Sequence, residues 1–215
     1  MLSVVCFGDS LTDINAFGYS WTETLQEQRP DLEVINSGRY GGMTTDYLLP
    51  DKKSVDWMKM HNAVMQYDPD AVLITLGGND IVRTTDQPNE IFNRYKAIVK
   101  YMRDAGIHVV MGAYDMTQTQ CNQIYDDGWH NHSKVMTKMW FSTYSRLIRN
   151  YSNTWGRKKE PVISLYEGIT VGKEIPPEYL RDAVHLTPIG AEKVGQYVAD
   201  ALDSFFDKLL SEEEG

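Results

Sequence analysis

The chain has 215 residues, of which 42% are hydrophobic, and its 21 basic and 30 acidic side chains leave a formal net charge of −9. That length suits one domain, residues 1–215, with a sizeable core, and the apolar content excludes a disordered chain. An acidic balance repels phosphate backbones, so nucleic acid is not expected as a partner. Cys6 and Cys121 are too few for a disulfide framework. No apolar run is long enough to span a bilayer. The opening Met1-Leu2-Ser3-Val4-Val5-Cys6-Phe7 is too short for the apolar region of a secretory signal and runs straight into a polar motif. A cytoplasmic protein is expected, although secretion after loss of a leader would leave the same sequence.

Short apolar runs alternate with helical patterns along the chain. Ser3 to Phe7, Glu33 to Ser37, Ala71 to Thr75, His108 to Met111 and Pro161 to Leu165 read as strands. Their continuous Val, Ile and Leu content favours strands covered on both faces. Ser20 and Glu23 have capping-box spacing and open a helix through Gln28. Further helices are expected from about Ser54 to Met65 and from Glu90 to Ala105, the latter stopped by Gly106. Another is expected from Lys134 to Tyr151, and a last one from Pro188 to about Leu210. In the fourth of these, Met136, Met139 and Trp140 read as core packing. The acidic run Glu212-Glu213-Glu214 reads as a solvated tail. Strand–helix alternation argues for an α/β fold with a parallel sheet and helices on both faces.

In such sheets ligands bind beyond the carboxyl ends of the strands. Ser10, Gly41, Asn79 and the loop after Met111 each follow an expected strand, so they should project from one edge. Asp182 and His185 precede the last helix, whose start can return to that edge. A serine hydroxyl is a poor nucleophile until a base takes its proton. His185 can act as that base and Asp182 can hold the other ring nitrogen. A tetrahedral intermediate needs donors at its oxyanion, for which the Ser10 amide, Gly41 and the Asn79 side chain are candidates. Position 12 is threonine, so the Gly-x-Ser-x-Gly elbow of α/β-hydrolases is absent.

Four ordered blocks carry a family resemblance. They are Phe7-Gly8-Asp9-Ser10-Leu11-Thr12-Asp13, then Val34 through Thr45 with Asn36 and Gly41, then Gly77-Gly78-Asn79-Asp80, and finally Asp182-Ala183-Val184-His185-Leu186-Thr187-Pro188-Ile189-Gly190. The chain resembles the SGNH hydrolases, also called the GDSL family of esterases and lipases. The resemblance implies a three-layer α/β/α sandwich on a flavodoxin-like five-stranded parallel sheet, and hydrolysis without metal or cofactor. It assigns the nucleophile to Ser10, the acid–base pair to Asp182 and His185, and the oxyanion donors to Ser10, Gly41 and Asn79, with Gly38 as the fallback glycine. After the fourth strand many members carry a proline. Here the chain reads Gly112-Ala113-Tyr114-Asp115-Met116, followed by a long polar stretch to Ser133.

Other residues have plainer readings. Asp9 and Asp80 read as turn residues that bond their own backbone. Asp13 either caps a turn or lines the pocket. His130 and His132, with Asp126, Asp127 and Cys121, match no strong ligand spacing and read as a polar surface loop rather than a metal site. Tyr125 and Trp129 in that loop could stack on a sugar or an acyl chain. Trp57, Met58 and Met60 are candidates for a contact between copies, which leaves a homo-oligomer open. The expected function is a serine esterase acting on a small-acyl or carbohydrate-linked acyl ester. Acyl transfer by the same residues and a catalytically silent binding module are the alternatives. A flavodoxin-like nucleotide binder would need a phosphate-cradling glycine loop, and none follows a strand.

Overall fold

The computed structural model describes residues 1–129, 132–153 and 160–213. Its strands and helices, in chain order, are β1 (Leu2–Gly8), α1 (Ile14–Phe17), α2 (Trp21–Gln28), β2 (Leu32–Gly38), α3 (Trp57–Ala63), β3 (Ala71–Thr75), α4 (Gly78–Arg83), α5 (Pro88–Asp104), β4 (His108–Ala113), α6 (Gln118–Asp126), α7 (Lys134–Ser152), β5 (Val162–Ser164) and α8 (Pro188–Glu213). The five strands form one parallel sheet in the order β2-β1-β3-β4-β5. β1 and β3 are buried along their whole length. Their uninterrupted apolar sequence follows from that position, because helices cover a parallel sheet on both faces. α2 and α8 pack together in one layer, and α8 touches β1; α5 and α7 pack together in the other, each against β4. The result is a three-layer α/β/α sandwich.

Register brings the strand ends level. Gly8 pairs with Gly38 on one side and with Thr75 on the other, so three strands release the chain at one height. α8 is fastened to the first half of the molecule by Arg29, the C-cap of α2. Its buried guanidinium pairs with Asp31 at 2.6 Å, Asp203 at 2.9 Å and Asp207 at 2.9 Å.

Asp80 has a different environment from the turn expected of it. It is fully buried and accepts bonds from the Thr44 amide at 2.8 Å and the Thr44 hydroxyl at 2.5 Å. Arg94 donates to it at 3.2 Å, to Thr44 Oγ1 at 2.9 Å and to Asp86 at 3.0 Å. The network ties the segment after β2 to α4 and α5.

Three other expectations change. The stretch from Ala113 to Ser133 is not a loop, because it contains α6, whose start is closed by a Thr117–Gln120 capping box. Its glutamines and asparagine hid a short inward face made by Gln120, Cys121 and Ile124. On α7 the core face is Thr137, Trp140, Phe141, Tyr144 and Ile148, so Trp140 packs as expected, whereas Met136 and Met139 face outward. The helix expected from Ser54 to Met65 is shorter and is capped by Asp56. Met60 on it is buried with Val64 and belongs to the core rather than to an outer contact, while Trp57 and Met58 are exposed.

Replacing Asp80 by alanine leaves the buried Arg94 and the Thr44 amide without their acceptor. The loss should be about 3 kcal/mol, at the low end for a broken buried pair because Asp86 still faces Arg94. Urea denaturation of the variant beside the parent measures it.

Candidate active site

β1 ends in a tight turn. The Asp9 carbonyl accepts from the amides of Thr12 at 3.1 Å and Asp13 at 3.0 Å, and its carboxylate accepts from Leu11 N at 3.1 Å. The Ser10 amide takes no part in those bonds. Asp13 does cap a turn: one oxygen accepts from Asn15 N at 2.9 Å, opening α1, and the other accepts from Tyr40 N at 2.8 Å. The turns after β1 and β2 are thereby joined.

The Ser10 hydroxyl is buried and lies 2.9 Å from His185 Nε2. On the other side of the ring, His185 Nδ1 is 2.8 Å from Asp182 Oδ2. The second carboxylate oxygen accepts from the amides of Val184 at 2.8 Å and His185 at 2.7 Å. Partial burial works against a charge on Asp182, but the ring and the two amides outweigh it and hold the carboxyl below the usual carboxylate range. The carboxylate places a proton on Nδ1, which leaves Nε2 to accept from the Ser10 hydroxyl. The loop bearing both residues is closed by a bridge between Leu180 and Leu186. Three distant side chains hold its carbonyls: Tyr19 on Leu186 at 2.8 Å, Tyr166 on Val184 at 3.1 Å and Gln120 on Ala183 at 3.1 Å.

Asn79 sits in the first turn of α4, and its Nδ2 donates to the Gly42 carbonyl at 3.1 Å. Ser10, Asn79 and His185 line one cavity of about 310 Å³. Gly41 has a φ of 71° and lies against the Arg83 guanidinium; its neighbour Tyr40 lines the cavity, and Gly41 itself does not. The fallback, Gly38, is a packing glycine: a Cβ there would stand 2.1 Å from the Asp13 amide.

Trp129 lines the cavity, with its ring centroid 6.0 Å from that of His185. Tyr125 does not; it points outward from α6, with Lys134 Nζ 5.3 Å from its ring. His132 bonds the Thr84 carbonyl at 3.0 Å and packs on Trp140, while His130 and the residue Glu214 of the acidic tail lie outside the described residues. Among the described residues no group of three histidine, cysteine or carboxylate side chains could hold a metal ion. Among them, too, no helix is long and apolar enough to cross a membrane.

Several residues around the site had no signal in the sequence. Tyr40 stacks on His185 at 6.2 Å between ring centroids, and Phe17 meets the same ring edge-on at 4.8 Å. Arg83 and Tyr114 also line the wall. The Tyr114 hydroxyl donates to Asp9 at 2.7 Å across 105 residues of chain. Burial pushes the Asp9 carboxyl up to about 6, against the pull of Tyr114, the Leu11 amide and His185.

Because Asp182 is depressed in the folded state, its charge contributes stability above the ordinary carboxylate range. That contribution is lost as pH falls through its lowered value. Asp182→Asn should therefore be less stable than the parent near pH 7, and the gap should close below about pH 4. Denaturant titration of both proteins at the two pH values tests this.

Residues 6–193 match the family model described as GDSL-like lipase/acylhydrolase. No curated protein matches the chain. Solved structures share its fold. One is a GDSL-like lipase from Bacteroides thetaiotaomicron, 18% identical, covering 94% of this chain and 88% of that one with a TM-score of 0.66. Another is the psychrotrophic esterase EstA from Pseudoalteromonas sp., in a form inhibited by monoethylphosphonate, at 17% identity, coverage of 96% and 100%, and a TM-score of 0.67. A third is the acetyl xylan esterase AlAXEase, at 19% identity, coverage of 94% and 98%, and a TM-score of 0.65.

Proposed function

The chain belongs to the GDSL-like lipase/acylhydrolase family, a family of serine hydrolases, and we propose that it hydrolyses small-acyl or carbohydrate-linked acyl esters through an acyl-enzyme on Ser10. The observation that carries this reading is the line from Ser10 Oγ to His185 Nε2 at 2.9 Å and from His185 Nδ1 to Asp182 at 2.8 Å, at the wall of a cavity shared with Asn79.

In this reading His185 takes the hydroxyl proton as Ser10 Oγ attacks the ester carbonyl carbon. Asp182 stabilises the imidazolium that results. Negative charge moves to the carbonyl oxygen, facing the Ser10 amide and Asn79 Nδ2. The carbon–oxygen bond to the alcohol breaks, and the imidazolium gives its proton to the leaving oxygen. A water then attacks the acyl-serine as its proton goes to His185, the acyl carbon–Oγ bond breaks, and the imidazolium returns the proton to Ser10 Oγ, releasing the acid and restoring both residues.

A cavity of about 310 Å³ lies at the small end for ligand sites, which favours a short acyl group. Tyr40 and Trp129 at its wall present ring faces and edges on which a sugar ring can stack. The fold shared with an acetyl xylan esterase supports a carbohydrate-linked ester as the first substrate class to assay. Acyl transfer to a sugar would use the same residues, and product analysis with a competing acceptor separates the two.

Ser10→Ala should stay folded and lose at least about 10⁴-fold in kcat on p-nitrophenyl acetate, together with all labelling by a fluorophosphonate probe. Full turnover by that variant would remove Ser10 from the nucleophile role. Asn79→Ala should cost about 10²–10³-fold in kcat with little change in KM, as expected for a donor that acts on the oxyanion.

A further inference from the structure

Behind the serine lies a buried polar contact that the acyl chemistry does not itself use. Asp9 is only 2% exposed. One of its oxygens accepts from the amide of Leu11, the residue after Ser10, and the other accepts the Tyr114 hydroxyl at 2.7 Å. Tyr114 follows β4 directly, and its own amide donates to Ser145 Oγ on α7 at 3.0 Å. Its ring packs so close to Gly78 that a Cβ there would be 2.8 Å from a ring carbon. One side chain thus touches the turn that bears Ser10 and the residue that precedes Asn79, and its backbone is anchored on α7.

We propose that Tyr114 is a positioning residue, whose hydroxyl, acting through the ionised Asp9 carboxylate, holds the Ser10 turn in place against the Asn79 loop. The inference rests on the esterase reading of Ser10. Its physical basis is the acceptor. A carboxylate can accept from Tyr114 and Leu11 together, one bond on each oxygen. A protonated Asp9 has one oxygen converted to a donor, so the pair of bonds loosens.

The groups around Asp9 fix the sign of the pH effect. His185 favours the ionised form and Asp80 opposes it. Tyr47, Tyr144 and Tyr166 are near enough to feel its charge, Arg83 lines the same cavity, and Arg94 stands behind Asp80. Burial already lifts the carboxyl to about 6, and Tyr114 is the strongest of the groups drawing it back down. Tyr114→Phe keeps the ring against Gly78 and deletes only the hydroxyl. The carboxyl then rises further, and the ionised form is reached only at higher pH.

The test measures kcat and KM for p-nitrophenyl acetate from about pH 5 to about pH 9 in the full-length parent, Tyr114→Phe, Asp9→Asn and the double variant. The parent should be labelled at Ser10 by a fluorophosphonate. Tyr114→Phe should also be labelled, with kcat about tenfold lower, KM unchanged and the acid limb moved to higher pH. In the Asp9→Asn background the same phenylalanine change should move the limb no further. A Tyr114→Phe profile that superimposes on the parent, or a shift that persists without the carboxylate, overturns the proposal. If Tyr114→Phe fails to fold, Asp9→Asn alone decides: an acid limb unchanged from the parent overturns it, and a flattened one supports it. A parent that is neither labelled at Ser10 nor active on esters overturns the esterase reading itself, a result distinct from any of these.

Discussion

The hydrogen bond between Ser10 and His185 spans 175 residues of chain, and the rest of the architecture is arranged so that it can form. One partner hangs from the strand that enters the sheet first, and the other from the loop before the last helix. Local turns shape each of them, but only the sheet and the last helix bring the two together. β1 is clamped between β2 and β3, so the turn at its end has one height and one direction. The loop bearing His185 closes on itself through its own bridge and is also held from outside, by Tyr19, Tyr166 and Gln120. Asp182 contributes shape as well as charge, because one of its oxygens closes the loop through two amides while the other orients the ring.

Polar groups inside the molecule are arranged around that bond. Thr44, Asp80 and Arg94 lock the start of α4, the helix that carries Asn79, to the segment after β2. Asp13 joins the turn after β1 to the turn after β2. Each of these contacts involves a segment that follows a strand of the sheet. Donors held in advance lose little on meeting a developing charge, which is where enzymes of this chemistry gain most. The cost is a set of buried carboxylates that must all keep their partners.

Much of this was readable before any coordinates. The strands announced themselves because a central parallel strand is apolar on both faces, as Val72, Leu73 and Ile74 are. Capping chemistry placed α2, and Pro188 placed α8. Ser10, Asn79, Asp182 and His185 stood out because they fall in four ordered blocks that resemble those of one family. What escaped was orientation and long-range pairing. α6 is rich in glutamine and asparagine, so its narrow apolar face was invisible as a period. Met136 and Met139 have the right residue type on the wrong side of α7, because the core face there is built partly from Thr137 and Ser145. Tyr125 and Trp129 are four positions apart, yet one faces solvent and the other the cavity. The contact between Asp9 and Tyr114 leaves no local trace, since each residue is unremarkable in its own segment.

The order of the strands has a consequence for how the chain is made. β1 occupies an inner place in the sheet, yet it is the first strand to leave the ribosome. Its flanking partners follow some thirty and seventy residues later, between Leu32 and Gly38 and between Ala71 and Thr75. A nascent chain therefore carries a greasy, unpaired segment until those partners follow, with both hydrogen-bonding edges open to other chains. The imidazole arrives only after all five strands have emerged. A chain cut short before residue 185 therefore carries Ser10 without the imidazole that lies 2.9 Å from its hydroxyl.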